Sequence, residues 1–341
     1  MGIHYCTRED VKASLDAAET ARTNAQVDRL IERASRTVEG LCHRRFHPER
    51  ATRVFDWPAD RLGPSWRLWL GEDELLSLDT ITSDGVDITA GTFLEPQRSG
   101  PPYSRLDIDM AGDGAYTYGQ RTISITGVFG YCGDTQQVAE LDGVVGSSDT
   151  TMTVDDASLI GVGSLLLLDS EYVQVTGRLM SDTGQTLAAD LAPNPSGVVL
   201  TVQDGTEFAP DELILVDGER MRVVDTTPFG LVVQRAWDGS PLAAHATGAT
   251  VYAARTLRIA RGRAGTQTAA HAGGPVRAHV VPGPIRDLTI AETLVGLGRE
   301  QSGYARTIGT GDIARSAPMT DLRDLRRQVF AQYGRVRTGA V

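Results

Sequence analysis

Apolar residues along this chain change their spacing twice. Between Asn24 and Cys42, Val27, Leu30, Ile31, Ala34, Val38 and Leu41 recur at three- and four-residue intervals. Asp28, Arg29, Glu32, Arg33, Arg36 and Glu39 fill the opposite side, so the segment predicts one amphipathic helix. A shorter helix through Val11 and Leu15 is predicted before it, because Thr7 can cap and Asp10 can close a capping box. The spacing then turns strand-like. Short strands are predicted over 53–57, 68–70, 78–83, 86–89, 106–109 and 122–126, with Asp84-Gly85 as a tight hairpin turn.

Strand-like spacing continues from Asp134 to about Pro282, and helical spacing returns after Pro282-Gly283-Pro284. Leu288, Ala291, Thr293, Leu294 and Leu297 make a moderate stripe that Gly296 and Gly298 weaken, and it is expected to pack on the 27–41 helix. Leu322, Leu325, Val329 and Tyr333 make another, capped by Thr320, with Phe330 beside it. The fold class is α+β. A helical core with antiparallel strands (1–133) is interrupted by an all-β insert (134–282) and resumes as a core helix (283–301). A Gly/Ser/Thr-rich flexible linker (302–318) and a basic C-terminal helix (319–341) follow.

The insert repeats itself. Residues 153–177 align with 201–225 at a constant offset of 48, keeping Thr153/Thr201, Asp169/Asp217, Glu171/Glu219 and Val175/Val223 in register. Residues 231–251 align with 257–277 at an offset of 26, keeping Arg235/Arg261, Gly239/Gly265, His245/His271 and Gly248/Gly274. Asp169-Ser170-Glu171 and Asp217-Gly218-Glu219 predict hairpin turns, with acids there because turns favour Asp and Gly. A histidine ten residues after an arginine invites a catalytic reading. Its duplication argues for loop residues that hydrogen-bond backbone or carboxylate groups.

Composition narrows the classes. At 41% hydrophobic and 23% charged, the chain can bury cores, and its 341 residues suit two or three domains. No run approaches a membrane span, no cofactor motif is present, and Cys6, Cys42 and Cys132 have no motif spacing. His43 and His47 are four apart, but Pro48 breaks helical geometry, which argues against a metal pair. There is no Gly-x-Ser-x-Gly elbow or phosphate loop, so no enzymatic chemistry is expected. The net charge of −11 opposes a nucleic-acid grip. Yet residues 319–341 hold Arg323, Arg326, Arg327, Arg335 and Arg337 against Asp321 and Asp324, which suits an acidic partner.

The serial order of segments carries a resemblance. "REDVKASL", "VDRLIERASRTVEGLCHRRFHP", "TRVFDWP", "LWLGEDELLSLDTITSDGVDI", "PPYSRLDI" and "ISITGVFGY" follow one another. "PGPIRDLTIAETLVGLGREQSGYARTIG" and "DLRDLRRQVFAQYGRVR" come after the insert. Together these resemble the head–tail connector (adaptor, or head-completion) proteins of long-tailed double-stranded DNA phages, over a little more than half the chain. The resemblance implies a ring of about twelve copies closed by heterologous contacts. It implies a place in the virion neck after assembly in the host cytoplasm. The ring would bind the portal protein on one side and a neck, tail-completion or tail-terminator protein on the other. An acidic channel would let double-stranded DNA pass without specific binding. Portal contact falls to the C-terminal helix: Leu322, Arg323, Leu325, Arg326, Arg327, Val329, Phe330, Tyr333, Arg335 and Arg337. The alternative is a tail or baseplate protein whose insert binds host glycan, which exposed aromatics would support, but the insert offers few: Tyr172, Phe208, Phe229, Trp237 and Tyr252.

Overall fold

The structure is a computed structural model and describes residues 2–15, 24–57, 66–109, 117, 119–301, 307–308, 315–316 and 319–335. Helix α1 (Arg8–Ala13) carries the predicted capping box: the Thr7 hydroxyl accepts from the Asp10 N–H, and the Asp10 carboxylate from the Thr7 N–H. Helix α2 (Asn24–Cys42) buries Val27, Leu30, Ile31, Ala34 and Val38 on one side, as its stripe requires.

Strands β1 (Glu49–Trp57), β2 (Arg67–Trp69), β3 (Leu75–Ser83), β4 (Val86–Asp87), β5 (Thr92–Glu95), β6 (Arg105–Ile108) and β7 (Gly119–Phe129) follow. They pair as two antiparallel sheets, ordered β1-β7-β3-β4 and β2-β6-β5. One core, including Leu68, Leu75, Ile81, Leu106 and Phe129, serves both. Asp84 and Gly85 take φ of 49° and 85°, the paired left-handed residues that a two-residue hairpin turn demands.

The insert runs through β8 (Thr135–Asp142), β9 (Thr151–Val154), β10 (Leu165–Leu168), β11 (Glu171–Thr186) and β12 (Val199–Thr201). It continues with β13 (Leu213–Val216), β14 (Glu219–Thr227), β15 (Gly230–Gln234), β16 (Thr250–Arg263) and β17 (Gly274–His279). The first part of β11 pairs with β10, then β17, β8, β9 and the later part of β16, which pairs back onto β11. That circuit closes a small barrel. The later part of β11 and the earlier part of β16 close a second one with β13, β14, β15 and β12, sealed by a bridge between Leu187 and Val202.

The two barrels are copies, and one sits inside the other's chain path. Met152, Val154, Leu166, Val173 and Val175 fill the first core where Leu200, Val202, Ile214, Met221 and Val223 fill the second, 48 residues on. Leu257 and Ile259 correspond likewise to Leu231 and Val233, at the offset of 26. In the second barrel Thr227 pairs with Gly230 across a turn of Pro228 and Phe229. The equivalent pair in the first is Leu179 and Thr256. Residues 180–255 thus replace a two-residue turn, and the barrels are termed enclosing and inserted. The overlapping repeats of the sequence are two halves of this single nested duplication.

Helix α3 (Gly283–Gln301) lies along α2, with Leu297 beside Leu30 and the Glu300 carboxylate accepting from Gln26 and Arg29. A Cβ at Gly296 would come within 3.2 Å of Leu30, so glycine there sets the closeness of the two helices. Strands β18 (Thr307–Ile308) and β19 (Arg315–Ser316) pair, and the rest of the 302–318 segment lies outside the described residues. Helix α4 (Met319–Tyr333), expected as a portal-docking element, is also seated in the core. It has a home in its own domain, where Leu322, Val329 and Tyr333 are buried with Ile3, Val38, Phe46, Ile285 and Leu288. The Tyr333 ring meets Phe46 and Tyr131 edge-on at 5.9 and 5.7 Å. Lys12, the only lysine of the chain, makes a half-buried ion pair with Asp238 and ties α1 to the inserted barrel.

Candidate functional site

Of the residues expected to meet a portal, Leu322, Val329 and Tyr333 are spent on the core of their own chain, and Leu325 packs against it. Arg326 makes a two-pronged pair with Glu292 of α3, and Arg335 reaches Glu74 at 3.5 Å. Arg323, Arg327 and Phe330 point outward, Arg327 beside Asp324 at 3.3 Å. Arg337 lies outside the described residues. What α4 offers a partner is therefore its arginine face, not its apolar stripe.

The largest concentration of buried polar chemistry lies elsewhere, and it occurs twice. Glu171, the first residue of β11, has no exposure. Its Oε1 accepts from Arg261 Nε and the Gly262 N–H, at 2.8 and 2.9 Å. Its Oε2 takes Arg261 Nη2 at 2.6 Å, the Ala269 N–H at 2.9 Å and His271 Nε2 at 3.1 Å. Asp169, two residues earlier, faces the other ring nitrogen of His271 at 2.7 Å. In the inserted barrel Glu219, Arg235, Ala236, Ala243, His245 and Asp217 repeat the arrangement, with Nδ1 to Asp217 at 2.7 Å and Nε2 to Glu219 at 3.0 Å. The arginines also cap loop carbonyls, Gly146 and Asp149 in one copy and Ala192 and Gly197 in the other.

The sequence predicts hairpin turns at these acids. Asp169 and Asp217 do sit in turns, each at φ 50°, but Glu171 and Glu219 point into the fold. The missed signal was the joint repetition of Asp-x-Glu with Arg and His, which no turn alone requires. Every glutamate oxygen is engaged and each histidine has both nitrogens against carboxylates, leaving no free base or nucleophile. The clusters are fasteners: each joins the hairpin turn, the partner strand and the following loop of its barrel.

Burial pushes the Glu171 carboxyl up, but its bond to Arg261, the two backbone N–H groups and His271 outweigh that and bring its pKa to about 2. Glu219 is brought to about 2 in the same way by Arg235, the loop N–H groups and His245. A folded pKa below the unfolded one gives stability that is complete above about pH 4.5 and is lost as pH falls through about 2. The expected size is about 3 kcal/mol per barrel. Urea unfolding between pH 5 and 2 should show this slope in the wild type and less of it in Glu171→Gln and Glu219→Gln. Equal slopes would exclude the linkage.

Other candidates contribute little chemistry. His47 is buried against the Tyr5 hydroxyl, and desolvation, aided by nearby His279, drives its pKa to about 3. Among the described residues no group of His, Cys, Asp and Glu is placed to hold a metal ion. A cleft of about 630 Å³ between the barrels is lined by Glu140, Asp142, Asp155, Asp156 and Glu207, and its one cation, Arg255, is bound to Glu212. Of the insert's aromatics, Phe208 is buried in the inserted barrel and Tyr172 packs on the helical core, whereas Phe229 is exposed. No family model matches the chain, and neither do any curated protein or solved structure.

Proposed function

We propose that this protein is a structural ring component of a phage neck, a head–tail connector that carries a nested pair of barrels as an outgrowth. One observation carries the reading. The two stretches that resemble connector proteins, parted by the insert, rejoin through α2, α3 and α4 as one body. An insert bounded by neighbouring strand ends leaves that body undisturbed: the Val280 N–H donates to the Asp134 carbonyl where the chain leaves and returns. The acidic cleft and the net charge of −11 suit a conduit wall, since like charge keeps DNA from adhering. The fastener clusters are consumed structurally, consistent with assembly rather than catalysis.

The portal would meet the outward arginines of α4. Because α4 is also core, deleting it would unfold the body and test nothing. Arg323→Glu with Arg327→Glu instead reverses the exposed face and leaves Leu322, Val329 and Tyr333 in place. Purified portal rings should capture the wild-type chain and bind the double variant at least tenfold more weakly, roughly the consequence of reversing two interfacial charges. Undiminished capture would remove α4 from the interface, and no capture of wild type would sink the connector reading.

A further inference from the structure

The nested copies supply an internal control for the surface of the insert. In the enclosing barrel, Thr151 pairs with Arg258 on the outer side of β9 and β16, and Thr176 is the extra residue of a bulge beside them. The equivalents in the inserted barrel are Val199 paired with Val232, and Val224 at the same bulge. The corresponding core positions of the two copies are apolar in both, and the buried Glu–Arg–His cluster is repeated in each. On this outward strip the enclosing barrel carries threonine and arginine where the inserted barrel carries valine. Val199 is 59% exposed and Phe229, at the adjoining hairpin tip, 72%. The twin keeps the same strand pairing with a polar strip, so the barrel architecture itself does not call for the valines.

The strip's chemistry restricts what that is. It holds no cation for a phosphate, and its one aromatic stands beside valines rather than the polar donors a sugar needs. A protein surface of apolar character remains. Exposed large apolar groups also gather on the outer face of the β2-β6-β5 sheet, where Trp69 and Phe93 stand in neighbouring rows. Cross-strand register puts Arg67, Asp107 and Phe93 in one row and Trp69, Arg105 and Glu95 in the next, on the face opposite buried Leu68 and Leu106. Trp69 is 62% exposed, and Trp66 lies beside the Arg67 guanidinium. The Arg67 side chain is 38% exposed at 3.9 Å from Asp107, while the strip is flanked by exposed Asp225. Two different apolar patches with complementary flanking charge are what a head-to-tail contact requires.

We propose that the valine strip and Phe229 of one copy dock on the Trp66–Trp69–Phe93 sheet face of a second copy. This deepens the ring-forming reading and rests on it for closure of the chain of contacts. A contact made by so few side chains is weak by itself and gains strength when many are joined around a ring.

Sedimentation of the full-length chain over rising concentration tests it. The wild type should associate, and Val199→Asp or Trp69→Asp should each weaken association at least tenfold. An equimolar mixture of the two variants should form heterodimers and nothing larger, because one supplies the intact strip and the other the intact face. Formation of that heterodimer also certifies both variants as folded. A monomeric wild type, an inert mixture or an unaffected variant would overturn the contact. Portal capture is scored separately. A Val199→Asp chain that self-associates and decorates portals like wild type defeats the contact and spares the connector. A chain that shows the heterodimer but ignores portals does the reverse.

Discussion

Replacing Glu171 with alanine should cost the enclosing barrel about 3–5 kcal/mol, the usual penalty for stranding one side of a buried ion pair. The loss is large because Glu171 is the common acceptor for Arg261, His271 and the Gly262 and Ala269 N–H groups, and water cannot replace it. Glu219→Ala should cost the inserted barrel as much, for Arg235, His245, Ala236 and Ala243. The two substitutions should differ in reach. Residues 180–255 hold nearly all of the inserted barrel, so that barrel should keep its slow-exchanging amides in Glu171→Ala. The enclosing barrel should keep its own in Glu219→Ala, because Leu179 and Thr256 remain paired below the lesion. Hydrogen exchange resolved by strand measures both. Loss of protection across all ten strands in either variant would show the barrels to be one cooperative unit, contrary to the nested design.

Excision is the second test. Deleting 180–255 and joining Leu179 to Thr256 through Asn-Gly should leave an enclosing barrel that still folds on the helical body. The deleted strands contribute nothing to the enclosing core of Met152, Leu166, Val173, Leu257 and Val276. The replacement turn has the length that Pro228 and Phe229 already use in the twin, and Asn-Gly suits the twist of a two-residue hairpin. The half-buried pair between Lys12 and Asp238 is lost with the excision, and Lys12 can turn to solvent, so that cost is small beside the whole. Cooperative melting of the shortened chain is the expected outcome; a molten, dye-binding product would mean the enclosing barrel depends on its guest.

Local features were legible in the sequence. Thr7 with Asp10, the α2 stripe and Asp84-Gly85 each act within a few residues, so their pattern is the cause of the structure. The repeats were legible too, but their nesting was not. First halves occur in the order enclosing, inserted, and second halves in the reverse order. Nothing in the offsets says which halves pair until the short Thr227–Gly230 turn joins one set. Glu171 escaped because acids near turns are usually solvated, and its burial depends on Arg261, 90 residues away. Helix α4 was recognised as amphipathic, but an apolar stripe does not say whether its groove belongs to the same chain. Phe46 and Tyr131, which form part of that groove, are distant in sequence.

Nesting also dictates an order of birth on the ribosome. The strands of the inserted barrel emerge as one unbroken stretch and can close while the enclosing barrel still lacks β17 and most of β16. That outer shell must hold open its half-made sheet until they arrive, and the helical body waits longer still, for α3 and α4. The polypeptide therefore matures from its middle toward both ends, with its first-made helices among the last segments to find their partners.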